Sequence, residues 1–368
     1  MTRLVLLGGF LGAGKTTTLL LLASELAASG KRVGVLTNDQ GAQLVDTELF
    51  RAAGFAAGEV RNGCFCCRLD DFTREAELLL ARASPDVLLA EPVGSCTDLV
   101  ATVIRPLQAR RSMGFAFAPY TVVVDPLRAR DALSRSGRAS LSEKVTYIYR
   151  LQQMEAEAIA INKLDLLQAD EREEITCLVR EQFPRARVIT YSARTGEGFD
   201  ALRTWLTNAA GDTAEASPDV DYDVYAQGEA ELAWFDARYD VAVPSEVSFD
   251  VDRAALRLAS LIHERLRGTG SEIAHLKLRV AKPGGEASVV SLARGNAQPE
   301  LVRASNARAT RQLDLLINAR VAGSAEEVRQ AIGACLETWG REMQAALACR
   351  ESRAFAPPRP VPTCRIAR

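Results

Sequence analysis

A glycine-rich loop near the start of the chain constrains its fold more than any other feature. Residues 9–16 read GFLGAGKT, which fits G-x-x-x-x-G-K-T, and they lie between an apolar strand-like segment and a helix-like one. Glycines at this spacing let successive backbone N–H groups surround phosphate oxygens, and the helix N-terminus adds positive potential. We therefore predict that Lys15 reaches the β- and γ-phosphates and that the Thr16 hydroxyl binds Mg²⁺. The predicted nucleotide contacts of this loop are Gly9, Gly12, Ala13, Gly14, Lys15, Thr16 and Thr17.

Short apolar runs and helix-like stretches alternate over the first 212 residues. The predicted strands are Arg3–Leu7, Arg32–Thr37, Asp86–Ala90, Thr121–Val124, Ala158–Ile161 and Arg187–Tyr191. The predicted helices are Lys15–Ser29, Asp71–Ala83, Leu141–Glu157 and Asp170–Gln182. Such alternation, with strands that are apolar almost throughout, is typical of a mostly parallel sheet covered by helices on both faces. We predict an α/β fold of the P-loop NTPase class.

The composition changes at Ala209–Asp219, which is small, polar and rich in turn-forming residues. Beyond it we predict strands at Ala233–Val243, Ile273–Val280, Ala287–Leu292 and Leu313–Val321, and helices at Val251–Arg267 and Ala325–Ala348. This order suits a smaller α+β domain, with a ferredoxin-like arrangement as one option. The predicted boundaries are a P-loop domain at 1–210, a linker at 211–220, an α+β domain at 221–349 and an extended Pro/Arg tail at 350–368.

Composition excludes several classes of protein. With 45 Lys and Arg against 47 Asp and Glu, the net charge is −2, without the basic excess of a nucleic-acid binder. No apolar run reaches the roughly 18 residues that a membrane span needs, and no signal peptide is visible after Met1. Eight cysteines are too few for a disulfide scaffold of this size. We expect a cytoplasmic protein that binds neither nucleic acid nor membrane.

Two later segments are predicted to recognise guanine. Residues 162–165 read NKLD directly after a strand, which resembles the N-K-x-D element of GTPases. In that element, the Asp165 carboxylate would accept hydrogen bonds from the guanine N1–H and exocyclic amine, which adenine does not offer in that geometry. Lys163 would lie along the base and Asn162 would tether the loop. Ser192 and Ala193 end another strand, where a backbone N–H could recognise guanine O6, so we predict GTP and GDP as ligands.

Acidic residues at strand ends are predicted to complete the Mg²⁺ site. Glu91 follows the strand-like Asp86–Ala90, and ligands bind at the carboxyl ends of strands in such sheets. Gly94 could offer its N–H to the γ-phosphate and act as a switch. Asp39 ends the preceding strand and is our first choice to contact Mg²⁺ or to orient the attacking water, although a cap or turn role is open for both acids. The predicted Mg²⁺ set is Thr16, Asp39 and Glu91, and the predicted catalytic set is Lys15, Asp39 and Glu91.

Three cysteines crowd into four positions at Cys64, Cys66 and Cys67. They can converge on one soft or borderline ion once the loop curls, and Gly63 permits that curl. We expect Arg61 and Arg68 to lower the pKa of these thiols.

Tetrahedral Zn²⁺ takes four ligands, so Cys96 and Glu59 are candidates for the fourth. A set of small buried side chains or a redox pair remains an alternative for the cysteines. We interpret His263 and His275 as structural, and Cys177, Cys335 and Cys349 as packing residues.

The motifs together resemble those of CobW-type metallochaperone GTPases, relatives of the nickel-insertion GTPases of hydrogenase and urease maturation. The matching segments, all within residues 1–210, are GGFLGAGKTT, TNDQ, NGCFCC, the D-x₄-E-x-x-G element and NKLD. The resemblance implies GTP hydrolysis coupled to the handling of Zn²⁺ or a related metal such as Co²⁺ or Ni²⁺. It carries the metal role to Cys64, Cys66 and Cys67, and it implies a metalloprotein client and a frequently dimeric GTPase domain. Two departures, EPVGSC and NDQ, are closer to the nickel-insertion branch, and the second domain lacks the His-rich stretch of many relatives.

Our functional hypothesis is a switch in which GTP and Mg²⁺ order the loops of Asp39 and Gly94, between which the cysteine loop lies in sequence. Turnover should be slow, because no arginine finger within the chain is evident. One alternative is a GTP-dependent activator of a corrinoid or other metallocofactor enzyme in which the cysteines are secondary. The others are a P-loop kinase, against which NKLD argues, and a binding adaptor without hydrolysis.

Overall fold

The computed structural model describes residues 1–38, 45–110, 113–133, 141–211, 217–244, 249–282, 285–293, 297–307 and 311–367. Its described residues form two compact units. The first lies within 1–42, 46–228 and 359–368, and the second within 43–45 and 229–358. Among the described residues, no helix combines the length and apolar character needed to cross a membrane.

The first unit is built on a parallel sheet. Its strands are β1 (Arg3–Gly8), β2 (Val33–Asn38), β3 (Ala56–Val60), β4 (Val87–Glu91), β5 (Ala116–Phe117), β6 (Thr121–Val124), β7 (Ala158–Ile161) and β8 (Arg187–Thr190). They follow the order β3-β2-β4-β1-β6-β7-β8, with β5 beside β1, and each described pair is parallel. The predicted α/β fold with a mostly parallel sheet is confirmed.

Helices connect these strands. They are α1 (Lys15–Ala28), α2 (Val45–Ala52), α3 (Leu69–Ala83), α4 (Arg105–Ala109), α5 (Pro126–Leu133), α6 (Glu143–Met154), α7 (Ala169–Gln182), α8 (Phe199–Asn208) and α9 (Tyr222–Ala230), with a π-helix at Val100–Ile104 and a 3₁₀-helix at Leu164–Leu166. Strands β2, β4, β6 and β7 are buried along their whole length, as expected for strands covered on both faces. Because the strands run in parallel, the loops after β1, β2, β3, β4, β6, β7 and β8 all leave the same edge of the sheet.

Strand β3 was not predicted from the sequence. Its residues AAGEV contain small and charged side chains and a central glycine, so they lack the apolar run of the other strands. Tertiary pairing with β2 forms the strand in spite of its composition, from Gly34 opposite Ala56 to Asn38 opposite Val60. Its position decides where the cysteine loop begins, since β3 ends at Val60.

The second unit is an antiparallel sheet with two helices. Its elements are β9 (Leu232–Ala242), α10 (Val251–Gly268), β10 (Ile273–Ala281), β11 (Ala287–Leu292), β12 (Glu300–Arg303), β13 (Gln312–Ala322), α11 (Ala325–Glu342) and β14 (Ala346–Phe355). The strand order is β12-β11-β10-β13-β9-β14. Without β11 and β12, the chain follows the β-α-β-β-α-β order of ferredoxin-like folds. Core side chains of both helices, such as Leu258 and Trp339, pack with sheet residues such as Phe235 and Ile317.

The end of the second unit differs from the prediction. The helix expected at Ala325–Ala348 ends at Glu342, because Gln344 takes a left-handed backbone conformation (φ 50°) and the Ala345 N–H returns to the Gly340 carbonyl oxygen at 2.8 Å. The chain then pairs with β9 as β14. Residues 350–355, predicted as part of an extended tail, therefore lie in a strand.

The segment after the predicted linker and the last residues of the predicted tail lie in the first unit, which was not expected. Of the predicted linker 211–220, the structure describes Gly211 and residues 217–220, which form neither helix nor strand. Most of α9 lies in the first unit, where Gly228 approaches α6 so closely that a Cβ there would be 2.7 Å from the Lys144 carbonyl oxygen. Residues 359–367 return to the first unit.

Candidate nucleotide and metal sites

The glycine-rich loop has the backbone conformation expected of a phosphate loop. Gly9 and Gly14 adopt φ angles of 131° and 97°, which side chains disfavour. A Cβ on Gly9 would lie 2.2 Å from the Val123 carbonyl oxygen, and one on Gly14 would lie 2.3 Å from the Asn162 amide nitrogen. The buried Lys15 folds over the loop, where its Nζ donates to the Gly9 carbonyl oxygen at 2.9 Å. The loop is therefore preformed, with its lysine on the inner side.

The structure brings together the two described members of the predicted Mg²⁺ set. The Thr16 hydroxyl donates to Glu91 Oε1 at 2.9 Å, although the two residues are 75 positions apart. Both are hard oxygen groups of the kind that Mg²⁺ prefers. Asp39, the third predicted member, lies outside the described residues. Thr17 is exposed on the first turn of α1.

Gly94 lies directly against the phosphate loop. A Cβ on Gly94 would approach the Leu11 backbone nitrogen to 3.0 Å and the Leu11 side chain to 2.7 Å. The carbonyl oxygens of Gly94 and Cys96 both accept hydrogen bonds from the Gln152 amide of α6, at 3.0 and 2.8 Å. One buried glutamine thus fixes the backbone between the predicted γ-phosphate contact and a candidate metal ligand.

The predicted guanine loops pack onto the phosphate loop. Asn162 Nδ2 donates to the Ala13 carbonyl oxygen at 3.0 Å, and Asn162 Oδ1 accepts from the Ala193 N–H at 2.9 Å. Lys163, which has a left-handed φ of 62°, donates from Nζ to the Gly12 carbonyl oxygen at 2.7 Å. The Ser192 hydroxyl donates to Asp165 Oδ1 at 2.6 Å and orients that carboxylate. All three motifs therefore meet at one place.

Sequence reasoning missed Asp125, which connects Lys163 of the guanine loop to the start of α5. Its Oδ2 accepts from Lys163 Nζ at 2.8 Å, and its Oδ1 accepts from the backbone N–H groups of Leu127 and Arg128 at 3.0 Å. The carboxylate is buried, so it both starts α5 and holds the lysine of the guanine loop. The signal was present in the sequence, because Asp125 follows an apolar strand and precedes Pro126.

The three clustered cysteines converge in space. The Sγ atoms of Cys64 and Cys66 are 2.9 Å apart, those of Cys64 and Cys67 are 3.2 Å apart, and those of Cys66 and Cys67 are 3.7 Å apart. Within the described part of the chain, they form the group of His, Cys, Asp and Glu side chains close enough to share a metal ion. Soft thiolates in such a group suit Zn²⁺, Ni²⁺ or Co²⁺.

Asn38, the last residue of β2, shapes the cysteine loop. Its Nδ2 donates to the carbonyl oxygens of Val60 and Gly63 at 3.0 and 2.7 Å, and its Oδ1 accepts from the Phe65 N–H at 2.8 Å. Phe65 is fully buried and packs edge-on against Phe72 of α3. The asparagine beside the predicted catalytic Asp39 is therefore a positioning residue for the cysteines, which the sequence reasoning did not foresee.

Neighbouring sulfurs, rather than arginines, set the acidity of the cluster. Hydrogen bonds from Cys66, Cys67 and Cys96 hold the pKa of the Cys64 thiol well below its usual value. The hydrogen bond with Cys64 raises the pKa of Cys66 and raises that of Cys67 to about 12. The expectation that Arg61 and Arg68 lower these pKa values is wrong for Cys66 and Cys67, whose pKa values are raised. The two guanidinium groups pair instead with the carboxylates of Glu59 and Asp71.

The two candidates for a fourth ligand are placed differently. Cys96 is buried, and its thiol is close enough to Cys64 and Cys66 to affect the pKa of both. Glu59 instead accepts from the Thr47 hydroxyl at 3.0 Å and pairs with Arg61. Among the described residues, the group whose ligand atoms all lie within 4.8 Å of one another comprises Cys64, Cys66 and Cys67, so Cys96 interacts with this group without being a member of it. His263 and His275 lie in α10 and β10 of the second unit.

The amino-terminal part of the chain is similar to known proteins. Residues 3–190 match the family model described as CobW/HypB/UreG, nucleotide-binding domain. The chain is 30% identical over 185 residues to the zinc chaperone CobW of Sinorhizobium sp, covering 44% of this chain and 50% of that protein. It is 38% identical over 96 residues to the zinc chaperone YeiR of Escherichia coli strain K12, covering 26% and 29%. The chain thus spans half or less of the length of these curated relatives.

Among solved structures, the Zn(II)-bound YjiA GTPase from E. coli aligns with 91% of this chain and 98% of its own, at 16% identity and a TM-score of 0.38.

Proposed function

The chain belongs to the CobW/HypB/UreG family, and we propose that it is a GTPase that binds Zn²⁺ or a related transition metal and delivers it to a client metalloprotein. In this proposal, Cys64, Cys66 and Cys67 hold the metal as cargo, and the nucleotide state controls how firmly it is held. The observation that carries the proposal is the convergence of three thiols within 3.7 Å in a loop fixed by the last residue of β2.

The choice of GTP rests on the contacts around Asp165. Its carboxylate is oriented by Ser192, and its loop is fixed by Asn162 and Lys163 against the phosphate loop. A carboxylate placed there matches the two donors of guanine, whereas adenine would leave it unsatisfied at a cost of about 1–3 kcal/mol. We propose that Ala193 and its backbone N–H add recognition of guanine O6.

The described residues also fit a bound Mg²⁺. Thr16 and Glu91 would hold it, and the ion would neutralise charge on the β- and γ-phosphates. Lys15 would contact the same phosphates and Gly94 would offer its backbone N–H to the γ-phosphate. We keep Asp39 as the proposed residue that orients the attacking water.

Nucleotide and metal would be coupled through two short backbone segments. The segment after β4 carries both Gly94, against the phosphate loop, and Cys96, beside the cysteine cluster. The end of β2 carries Asn38, which holds the cysteine loop and is followed in sequence by Asp39. By linkage, if GTP changes metal affinity by some factor, metal changes GTP affinity by the same factor.

The proposed client and cellular compartment follow from the chemistry of the bound metal. Three cysteine ligands leave one position of a tetrahedral ion open for ligand exchange with a client, whereas a closed four-ligand site would retain Zn²⁺. Free thiols also need a reducing compartment, so we propose a cytoplasmic role. We carry over the homodimer of the GTPase domain from the family resemblance as a proposal.

A metal titration of the purified full chain tests this function. We expect one Zn²⁺ per chain, with thiolate charge-transfer absorbance when Co²⁺ is used as the probe. The affinity should differ at least about fivefold between GDP and a non-hydrolysable GTP analogue, the lower end of typical allosteric coupling.

The test variant is Cys66→Ser, which should weaken Zn²⁺ binding about 100-fold. Its matched control is Cys177→Ser, which alters an exposed cysteine of α7 and should bind Zn²⁺ like the parent chain. Equal metal affinity in both nucleotide states would contradict the coupling. Unchanged metal binding in Cys66→Ser would favour the activator role, in which the cysteines are secondary.

A further inference from the structure

The last described residues of the chain cross the cysteine loop. We name residues 360–367 the strap; they belong to the first unit, together with the cysteines. The Val361 N–H donates to Cys67 Sγ at 3.2 Å. The Thr363 N–H donates to the Cys66 carbonyl oxygen at 2.9 Å, and the Thr363 hydroxyl donates to the Cys67 carbonyl oxygen at 3.0 Å. The strap therefore touches one of the three sulfurs and the backbone of two of the three cysteines.

The far end of the strap is anchored on the segment that follows β4. Arg365 Nε donates to Asp98 Oδ2 at 2.7 Å, and Asp98 is fully buried. The Ile366 N–H donates to the Ala101 carbonyl oxygen at 2.8 Å, and Arg105 donates to the Ile366 carbonyl oxygen at 3.1 Å. Since Asp98 is two residues from Cys96, the strap joins the cysteine loop to the segment that carries Gly94 and Cys96.

The sequence of the strap suits this contact. Val361 lies between Pro360 and Pro362, which have no N–H and restrict the chain to extended conformations. Val361 therefore supplies the one backbone donor of this triplet, and that donor points at a sulfur atom. A segment already extended loses little conformational entropy when it docks.

We propose that the strap is part of the metal site, supplying the hydrogen-bond donor that steadies the Cys67 thiolate and closing the cysteine loop, so that metal exchanges when the strap lifts. This inference rests on the proposed function and adds the regulation of that site. A donor to a ligating sulfur stabilises its negative charge and fixes its direction, and such outer contacts tune metal affinity. The hydrogen bonds to the Cys66 and Cys67 carbonyl oxygens hold the loop in the shape that brings the sulfurs together.

Zn²⁺ transfer from the loaded full chain to an excess of chromogenic chelator tests the proposal. Val361→Pro removes the N–H but keeps an extended backbone, and Val361→Ala keeps the N–H. We expect transfer about tenfold faster in Val361→Pro and unchanged in Val361→Ala, following the usual loss when an outer contact of a ligand is removed.

A second pair of variants tests the anchor. Arg365→Ala removes the guanidinium that binds the buried Asp98, while Arg359→Ala removes an arginine whose pairing with Asp223 is exposed. Exposed ion pairs contribute little, so Arg359→Ala should exchange Zn²⁺ like the parent chain, and Arg365→Ala should exchange it faster.

The outcomes distinguish a failure of the strap proposal from a failure of the proposed function. Equal transfer rates in the parent chain, Val361→Pro and Arg365→Ala, with one Zn²⁺ bound in each, would overturn the strap and leave the metal function standing. A parent chain that binds no Zn²⁺ would instead overturn the metal function, and the strap with it.

Discussion

The nucleotide loops and the cysteine loop lie at the same edge of one parallel sheet, but they are fixed in different ways. The nucleotide loops are fixed by their own motif residues, since Asn162 and Lys163 bind the carbonyl oxygens of Ala13 and Gly12. The cysteine loop is fixed by residues outside its motif, namely Asn38 from β2 and Thr363 from the strap. When the residues of a motif hold its own loop in place, the spacing of the motif predicts the geometry of the loop. When residues from other parts of the chain hold the loop, its geometry depends on the surrounding fold.

The two regions also differ in how much of each loop is enclosed by the rest of the fold. The phosphate loop is locked by close approaches at Gly9 and Gly14 that leave no space for a side chain. The cysteine loop is covered on one side by an extended segment with an exposed Val361. In our proposal, the first region is a rigid binding surface and the second is one that must open to release its cargo.

The strongest test of this comparison removes the lysine of the phosphate loop. Lys15→Ala should lower GTP hydrolysis about 100- to 1000-fold, because it deletes a buried charge that we propose contacts the transferred phosphate. Phosphate release measures the effect, and Zn²⁺ stoichiometry should stay at one per chain. Lys31→Ala alters an exposed lysine and serves as the control. Hydrolysis within a few-fold of the parent rate in Lys15→Ala would show that this loop is not the catalytic site.

The reverse test disables the cysteine loop alone. Cys66→Ser should weaken Zn²⁺ binding about 100-fold, at the upper end of what loss of an outer contact causes, because the sulfur is itself a proposed ligand. GTP affinity in the absence of metal should change less than about twofold. Competition with a Zn²⁺ chelator measures the first quantity and nucleotide titration the second. A large loss of GTP affinity without metal would mean that the two regions are not separable.

Asn38 tests whether the cysteine loop is fixed from outside its motif. Asn38→Ala leaves the carbonyl oxygens of Val60 and Gly63 and the Phe65 N–H without this partner, so we expect Zn²⁺ affinity to fall about tenfold. Asn208→Ala, at the exposed end of α8, is the matched control. Unchanged Zn²⁺ affinity in Asn38→Ala would show that the loop keeps its shape without β2.

The pH dependence of stability gives a further test at Glu155, whose carboxyl group holds the segment between Cys96 and the π-helix. It accepts from the Thr97 hydroxyl at 3.3 Å and the Val100 N–H at 3.1 Å, and burial raises its pKa to about 8. The folded chain then keeps a proton that the unfolded chain releases above its ordinary pKa of about 4.3. The stability from this group is complete below that value and is lost as the pH rises through 8.

Between pH 6 and 7, we therefore expect the free energy of unfolding of the parent chain to fall by about 1 kcal/mol more than that of Glu155→Gln. Urea denaturation at the two pH values measures this difference. Parallel pH profiles for the two proteins would show that Glu155 titrates as an ordinary carboxyl group.

The sequence predicted the α/β fold of the first unit because buried parallel strands require short runs that are apolar almost throughout. It did not predict β3, whose residues AAGEV form a strand through pairing with β2. It also extended the last helix to Ala348, where a left-handed Gln344 ends it and pairing with β9 begins a strand. These errors share one cause, which is that partners distant in sequence outweigh weak local preferences.

For the sites, the sequence alone determined the chemistry of each group, because phosphate binding, guanine recognition and soft-metal binding depend on residue types at short spacings. The sequence also predicted that Thr16 and Glu91 meet at the strand ends, as they do. Only the tertiary structure decided that Asp125 meets Lys163 and that Val361 meets Cys67. The last pair is 294 positions apart, and no local pattern encodes it. Such contacts arise because folding places the ends of distant segments at a common edge, where an unpaired donor or acceptor is costly and a partner from any part of the chain can satisfy it.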